Sequence, residues 1–259
     1  EFRRVLFRSL YGSDALAGVM KLNTDPVVPL GKMHLNVNTE YQTNNGLFNY
    51  SFNYGGNRQG LAWSARYSEK KAHAYKNALD GYVPNSQFHD RSLSGMLGVN
   101  KAWGHTRLLG SYYHITPSIA EGERDPLTGA LEQPYSDAKT YHHGLPYQQV
   151  YHYKAVLDNS FNIGNSRLNS VIAYQQNRRQ EFEEPDAYGL YLKLHTVNYN
   201  IHYVTRRLGE IRVTSGVSGM WQHSVNEGDE FLIPDYKLFD FGVFATAIAD
   251  LGQWGLNGG

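Results

Sequence analysis

The chain of 259 residues is rich in the residue types that form strands and tight turns. It contains 20 Tyr, 11 Phe and 26 Gly, a composition that favours an all-β fold. Its 24 Lys and Arg balance 24 Asp and Glu, so no basic field is available for a nucleic-acid backbone and we expect no nucleic-acid partner. The absence of Cys excludes disulfides, thiolate metal ligands and Cys nucleophiles. No run of about 18 apolar residues is present, which excludes a transmembrane helix but not membrane-spanning strands.

Residues 1–9, Glu-Phe-Arg-Arg-Val-Leu-Phe-Arg-Ser, read like the in-frame translation of a sequencing-library adapter. We therefore expect a non-native scar, with gene-encoded sequence beginning near Leu10. The alternative is a basic amphipathic leader. A signal peptide would need a longer apolar core and a small-residue cleavage site, and neither is present.

Residues 10–24 read as a turn followed by a strand, because Tyr-Gly-Ser-Asp is a turn sequence and a Gly permits close approach where the strand starts. The segment resembles the end of the plug domain of TonB-dependent outer-membrane receptors, where a Tyr-Gly-Ser-x-Ala-x-x-Gly-Val pattern leads into a strand. The matching residues are Tyr11, Gly12, Ser13, Ala15, Gly18 and Val19. Ala17 and Met20 depart from the family's usual Gly and Ile but keep a small and an apolar side chain. The resemblance implies a plug end at 10–24, a linker at 25–31 and a barrel over 32–259.

Residues 47–54 alternate aromatic and polar side chains. Phe48, Tyr50, Phe52 and Tyr54 fall on one face of a strand, with Asn and Ser residues on the other. In a bilayer the aromatic face can contact lipid while the polar face lines a wet interior, which is typical of a membrane-spanning barrel strand. The same alternation recurs at 33–41, 61–67, 151–157, 197–203, 211–221 and 239–249, whereas 93–99 and 108–115 fit either phase.

The connections between these strands alternate in length. Long connections are expected at 77–90, 116–148 and 226–237, with a moderate one at 181–189 and a short one at 44–46. Shorter connections fall between them at 55–60, 102–105, 164–166, 207–210 and 250–253. This order predicts an antiparallel up-and-down transmembrane β-barrel with short periplasmic turns and longer outer loops. At about 20 residues per strand and connection, the chain supplies ten strands and the start of an eleventh out of roughly 22, so we expect a truncated barrel.

The resemblance implies a receptor for energised uptake of a scarce ligand across the bacterial outer membrane. An iron complex such as a ferric siderophore is the expected ligand, with cobalamin, haem, a copper complex or an oligosaccharide as alternatives. The implied partners are outer-membrane lipid and a TonB-type energy-coupling protein that acts through the plug. A passive porin is the alternative class of protein, but a porin would leave residues 11–24 unexplained.

The connection at 116–148 is the predicted ligand-binding surface, because aromatic and charged side chains can stack on and pair with a chelate. The predicted ligand-binding residues are Arg124, Tyr135, Tyr141, His142, His143 and Tyr147. The alternative is that so long a loop is polar because it is solvated. Adjacent residues on an extended segment point in opposite directions, so we expect no metal site at the two His residues.

No sequence feature indicates catalysis. Neither a Gly-x-Ser-x-Gly elbow nor a His-Glu-x-x-His pair is present, so we expect no enzyme activity, no catalytic residue and no cofactor. The carboxylates at 181–186 match no Ca²⁺ loop and predict a solvated acidic tip. A soluble β-sandwich is a further alternative fold. It would explain neither the aromatic face of the strands nor the alternation of loop lengths.

Overall fold

The computed structural model describes residues 28–129, 131, 139–252 and 254–259. The expectations for residues 1–9, for the plug end at 10–24, for residues 25–27 of the linker and for Tyr135 lie outside them. The plug-end residues concerned are Tyr11, Gly12, Ser13, Ala15, Gly18 and Val19. Within the described residues every regular element is a β-strand, which confirms the all-β prediction. No helix in this part of the chain is long and apolar enough to cross a membrane.

Eleven of the thirteen described strands form one antiparallel sheet, and β4 and β5 form a separate two-stranded ribbon. The strands are β1 (Met33–Gln42), β2 (Leu47–Arg58), β3 (Leu61–Ala72), β4 (Lys76–Asn77), β5 (Gly81–Tyr82), β6 (Phe88–Lys101), β7 (Gly104–Pro117), β8 (Tyr147–Ile163), β9 (Ser166–Glu184), β10 (Ala187–Val204), β11 (Ile211–Asn226), β12 (Tyr236–Leu251) and β13 (Trp254–Gly258).

Each strand of the large sheet pairs with the sheet strands that precede and follow it in the chain, which confirms the predicted up-and-down order. The connections 43–46, 73–87, 118–146 and 227–235 lie at one end of the sheet, which we call the loop end. The connections 59–60, 102–103, 164–165 and 205–210 lie at the other, the turn end. The long connections therefore share one end, as the sequence predicts.

Three predicted connections are wrong in extent. The one predicted at 77–90 covers 73–87, because β3 ends at Ala72 and β6 begins at Phe88. Residues 55 and 56 belong to β2, and the turn is confined to Gln59 and Gly60, both with positive φ. Gly56 leaves room inside the strand for the ring of Trp63, which a Cβ at 2.4 Å would force to shift. The predicted moderate loop at 181–189 is instead a hairpin in which only residues 185–186 lie outside β9 and β10, although the register shifts at Glu183 and Gly189 near the tip. Contact between the rings of Phe182 and Tyr188 at 5.1 Å extends the strands to this tip.

The strand register sorts the side chains onto two faces, because directly paired residues project to the same side of a sheet. Phe52 pairs with Tyr67, Tyr67 with Leu93, and Leu93 with Tyr112, so the phase that the sequence left open for β6 and β7 is settled. The apolar face includes Val37, Phe52, Trp63, Leu97, Leu108, Leu157, Ile172, Val197, Trp221 and Phe239. The polar face includes Asn38, Asn53, Arg66, Ser94, Arg107, Lys154, Asn177, Asn198, His202 and Gln222.

The large side chains of the apolar face are exposed. Leu97 is 65% exposed, Phe239 71% and Val243 74%, whereas Ala62 and Thr196 of the polar face are buried. Water-soluble monomers rarely expose a contiguous apolar patch of more than a few hundred Å². No second large sheet covers this face among the described residues. The arrangement is therefore the inverse of a soluble β-sandwich, in which such side chains meet in a dry interior.

Candidate functional site

Two connections at the loop end are joined by the side chain of Asn85. Its Nδ2 donates hydrogen bonds to the carbonyl oxygens of Ile119 and Pro146, both at 2.8 Å. Asn85 is 4% exposed and has a φ of 54°, a left-handed conformation that Asn adopts more readily than most residues. Beside it, Nε2 of Gln87 donates to the His142 carbonyl at 2.8 Å. The sequence predicted only a long loop here, although Val-Pro-Asn-Ser is a turn signal.

We expect Asn85→Asp to release the connection 118–146 from the connection 73–87. A carboxylate keeps the shape of the amide and tolerates the same φ, but it cannot donate to the two carbonyl oxygens. The Pro146 carbonyl keeps the Ile119 N–H as a donor, but the half-buried Ile119 carbonyl loses the Asn85 amide and both face a carboxylate. Losing such a donor costs about 1–3 kcal/mol, so limited proteolysis of the intact protein in detergent should cleave within 118–146 at least about fivefold faster. Asn165→Asp, at a tight turn of the opposite end, should leave that rate unchanged. Equal protection of Asn85→Asp and the natural protein would contradict this role.

Tyr141 is anchored on the short connection between β1 and β2. Its hydroxyl donates to the Gly46 carbonyl at 2.8 Å, and its ring makes an edge contact with the ring of His73 at 5.5 Å. Lys71 Nζ lies 5.4 Å from the centre of the Tyr141 ring. Gly46 has a φ of 56°, and a Cβ there would lie 2.4 Å from His73 and 2.6 Å from the Tyr141 hydroxyl. A side chain at this position would displace the Tyr141 hydroxyl, and the positive φ also favours glycine.

Arg124 links the connection 118–146 to the connection 73–87 through an ion pair. Its Nη1 donates to Asp80 Oδ1 at 2.8 Å and to the Gly129 carbonyl at 2.7 Å. The guanidinium, together with a hydrogen bond from Asn77, lowers the pKa of Asp80 to about 2. The carboxylate thus stays charged at neutral pH. An anionic ligand that binds Arg124 must share it with Asp80.

His142 and His143 make different contacts, as expected for adjacent residues. His142 contributes its carbonyl to Gln87, whereas His143 Nδ1 lies 3.2 Å from Ser118 Oγ and its ring stacks on Tyr147 at 6.0 Å. Burial lowers the pKa of His143, which favours its neutral form. In the described part of the chain no group of three or more His, Asp or Glu side chains is placed to hold a metal ion.

The predicted ligand-binding residues thus belong to one assembly at the loop end, apart from Tyr135, which lies outside the described residues. Tyr147 stacks on Phe182 with ring centres 4.8 Å apart, and both residues lie in the phase of the apolar face. The partners Asp80, Asn85 and Gln87 carry no motif that would single them out in the sequence. The ligand-binding role of Arg124, Tyr141, His142, His143 and Tyr147 stays a prediction.

The polar face carries charges of both signs. Asp158 Oδ2 lies 3.3 Å from His105 Nε2 and 3.8 Å from Arg107 Nη1. Nearer the loop end, Lys70 Nζ lies 4.0 Å from Asp90 Oδ2. Surface pairs of this kind contribute little stability because water screens them. They make this face a hydrated surface rather than a packed core.

The fold and its two faces define the class: the wall of an antiparallel, up-and-down β-barrel. One solved structure with this fold is the FrpB iron transporter from Neisseria meningitidis (F3-3 variant), with a TM-score of 0.67 and 14% sequence identity over 94% of this chain. The chain spans 40% of the length of that structure. No family model matches the sequence, and no curated protein matches it. At this identity the likeness shows the fold.

Proposed function

We propose that the intact protein is a TonB-dependent outer-membrane receptor for energised uptake of a ferric siderophore. In this proposal the chain supplies the end of the plug and the N-terminal part of the barrel wall. The observation that carries the proposal is the exposed apolar face opposite a hydrated polar face. Leaving one large apolar side chain in water costs about 1.5–3 kcal/mol, so a face made of such side chains requires lipid.

The receptor part of the proposal is supported by the loop end. The connections 73–87 and 118–146 are interlocked by Asn85, Gln87 and Arg124, which gives a ligand a preformed surface rather than free loops. The likeness to an iron transporter and the plug-end motif at 11–19 favour uptake of an iron complex over catalysis. In this proposal the iron complex binds to the predicted ligand-binding residues Arg124, Tyr135, Tyr141, His142, His143 and Tyr147. The energy-coupling protein then pulls on the plug.

Growth and uptake measurements on a strain lacking the gene test this proposal. We expect poor growth under iron limitation and loss of ⁵⁵Fe-siderophore uptake, both restored by the intact gene. In the natural strain an uncoupler of the proton-motive force should abolish the uptake, because import is energised. Uptake that persists with the uncoupler would indicate a passive porin instead. Normal growth of the deletion strain, without iron-dependent expression of the gene, would contradict an iron ligand.

A further inference from the structure

A cavity of about 460 Å³ opens on the polar face at the turn end, between the ends of β8, β9, β10 and β11. The register places its strand residues in the phase of the polar face, since Arg167 pairs with Asn162 and Val204, and Asn169 pairs with His202. In the proposed barrel this face is the inner wall. The cavity lies at the end of the sheet opposite to the predicted ligand-binding residues.

The lining of the cavity is positively charged. It includes three arginines, Arg167, Arg207 and Arg212, and no acidic residue among those that the structure describes. On the same connection as Arg207, Glu210 places Oε2 3.6 Å from Arg207 Nη2. On β12, Asp250 lies two positions beyond the residue that pairs with Arg212. With both of these carboxylates counted, the three guanidinium groups are still in excess.

Arg167 is oriented by an amide rather than by a carboxylate. Its Nε donates to Asn162 Oδ1 at 3.3 Å, and Asn162 Nδ2 donates in turn to the Ala102 carbonyl at 3.0 Å. No carboxylate pairs with Arg167 among the described residues, and the residue is exposed. The two terminal nitrogens of its guanidinium therefore remain for two parallel hydrogen bonds to a carboxylate or a phosphate.

The remaining walls of the cavity are fixed by backbone hydrogen bonds of the connection 205–210. The Arg206 N–H donates to Ser166 Oγ at 2.8 Å. The Thr205 N–H donates to the Val213 carbonyl at 2.9 Å, and the Val213 N–H donates to Thr205 Oγ1 at 3.1 Å. These bonds tie the connection to β9 and to β11, so the backbone that carries the arginines is in place before a ligand arrives. Such preorganisation lowers the cost of binding.

We propose that this cavity binds a small molecule with at least two carboxylate or phosphate groups. A single anionic group engages one guanidinium fork, whereas the arginines of this cavity come from β9, from the connection 205–210 and from β11. The volume lies in the range of small-molecule sites. The inference goes beyond the proposed function, because it adds a second site at the other end of the wall and requires only the fold.

Chemical modification of arginines in the intact protein tests this site residue by residue. The protein in detergent is treated with phenylglyoxal, and the modification rate of each Arg is followed by mass spectrometry of its peptides. Tricarballylate or pyrophosphate, in separate arms, should slow the modification of Arg167 and Arg212 at least about fivefold relative to acetate at the same ionic strength. Arg58 and Arg206 are exposed at the same end of the sheet but do not line the cavity, so their rates should change by less than about twofold. The two arms distinguish a carboxylate ligand from a phosphate ligand.

Single variants show whether the arginines act together. Arg212→Gln should lower the protection of Arg167 at least about threefold, because a second fork for the ligand is lost. Arg206→Gln removes a neighbouring charge outside the cavity and should leave that protection unchanged. Arg212→Lys keeps the charge and should keep part of the protection, which separates loss of the cation from loss of the fold.

Three results would overturn the inference. They are equal rates at Arg167 in acetate and in both polyanions, equal protection of Arg58 and Arg206, and an Arg167 that does not react even without added anion. In the last case a group of the protein itself fills the cavity. The measurement is independent of iron uptake. Lack of protection in a protein that imports iron sinks this inference alone, and normal growth of the deletion strain sinks the proposed function alone.

Discussion

Val197→Arg is expected to destabilise the intact protein in a bilayer by about 2–4 kcal/mol, whereas Asn198→Arg should change its stability by less than about 1 kcal/mol. Val197 lies on the apolar face of β10 between Tyr174 and Trp221. In the membrane-spanning wall that we propose, a guanidinium at that point would lie among acyl chains. Asn198 is the next residue and projects from the polar face, where a cation stays hydrated.

Urea titrations of the two variants in phospholipid vesicles, followed by Trp fluorescence, give the free energies of unfolding. Heat-dependent electrophoretic mobility reports the fraction that has folded at all. Both variants place the same residue, Arg, at adjacent positions of one strand. The difference between their free energies of unfolding therefore reports the effect of the face alone. Equal losses for the two variants, or a larger loss for Asn198→Arg, would contradict the assignment of the faces.

Gly104→Ala is also expected to have a large effect, lowering the free energy of unfolding by on the order of 3 kcal/mol or more. Gly104 has a φ of 130°, and an added Cβ would lie 1.8 Å from the carbonyl oxygen of Ser160 on β8. The obstruction is backbone, so no side-chain rotation relieves it. The strands cannot separate freely either, because the Asn162 N–H donates to the Trp103 carbonyl at 2.7 Å and Asn162 Nδ2 to that of Ala102 at 3.0 Å.

Gly164→Ala is the matched control at the neighbouring tight turn. Gly164 also has a positive φ, 58°, but nothing lies within 4 Å of an added Cβ. Only the backbone preference is changed, at about 1 kcal/mol. The same urea titrations should therefore show a clearly lower free energy of unfolding for Gly104→Ala than for Gly164→Ala. A Gly104→Ala protein as stable as Gly164→Ala would show that β7 and β8 do not pack as closely as described.

The strands and their faces were predictable because a period of two residues is a local signal. Phe48, Phe52 and Asn53 each reveal their face from their immediate neighbours alone. The errors arose where distant side chains decide the outcome. Gly55 and Gly56 resemble a turn, yet a Cβ on either would meet the ring of His34 or Trp63. At the tip of β9 and β10, Phe182 packs on Tyr188 across the hairpin and also stacks on Tyr147 of β8, a residue 35 positions earlier in the chain.

The sequence allowed the types of residue at the candidate site to be predicted, but not the contacts that they make. Arg124 reads as a ligand for an anion, but its partner Asp80 lies in a different connection. The role of Asn85 depends on carbonyl groups far along the chain, which no local pattern marks.

The order of the sheet has a consequence for how the wall is built. Since every strand borders only its neighbours in the chain, folding can add one hairpin at a time to a single edge of the sheet. Each incoming strand takes its alignment from the one before, and a slip of one residue would invert every side chain after it. The two-residue turns at 59–60, 102–103 and 164–165 fix the register of the strand that follows each of them.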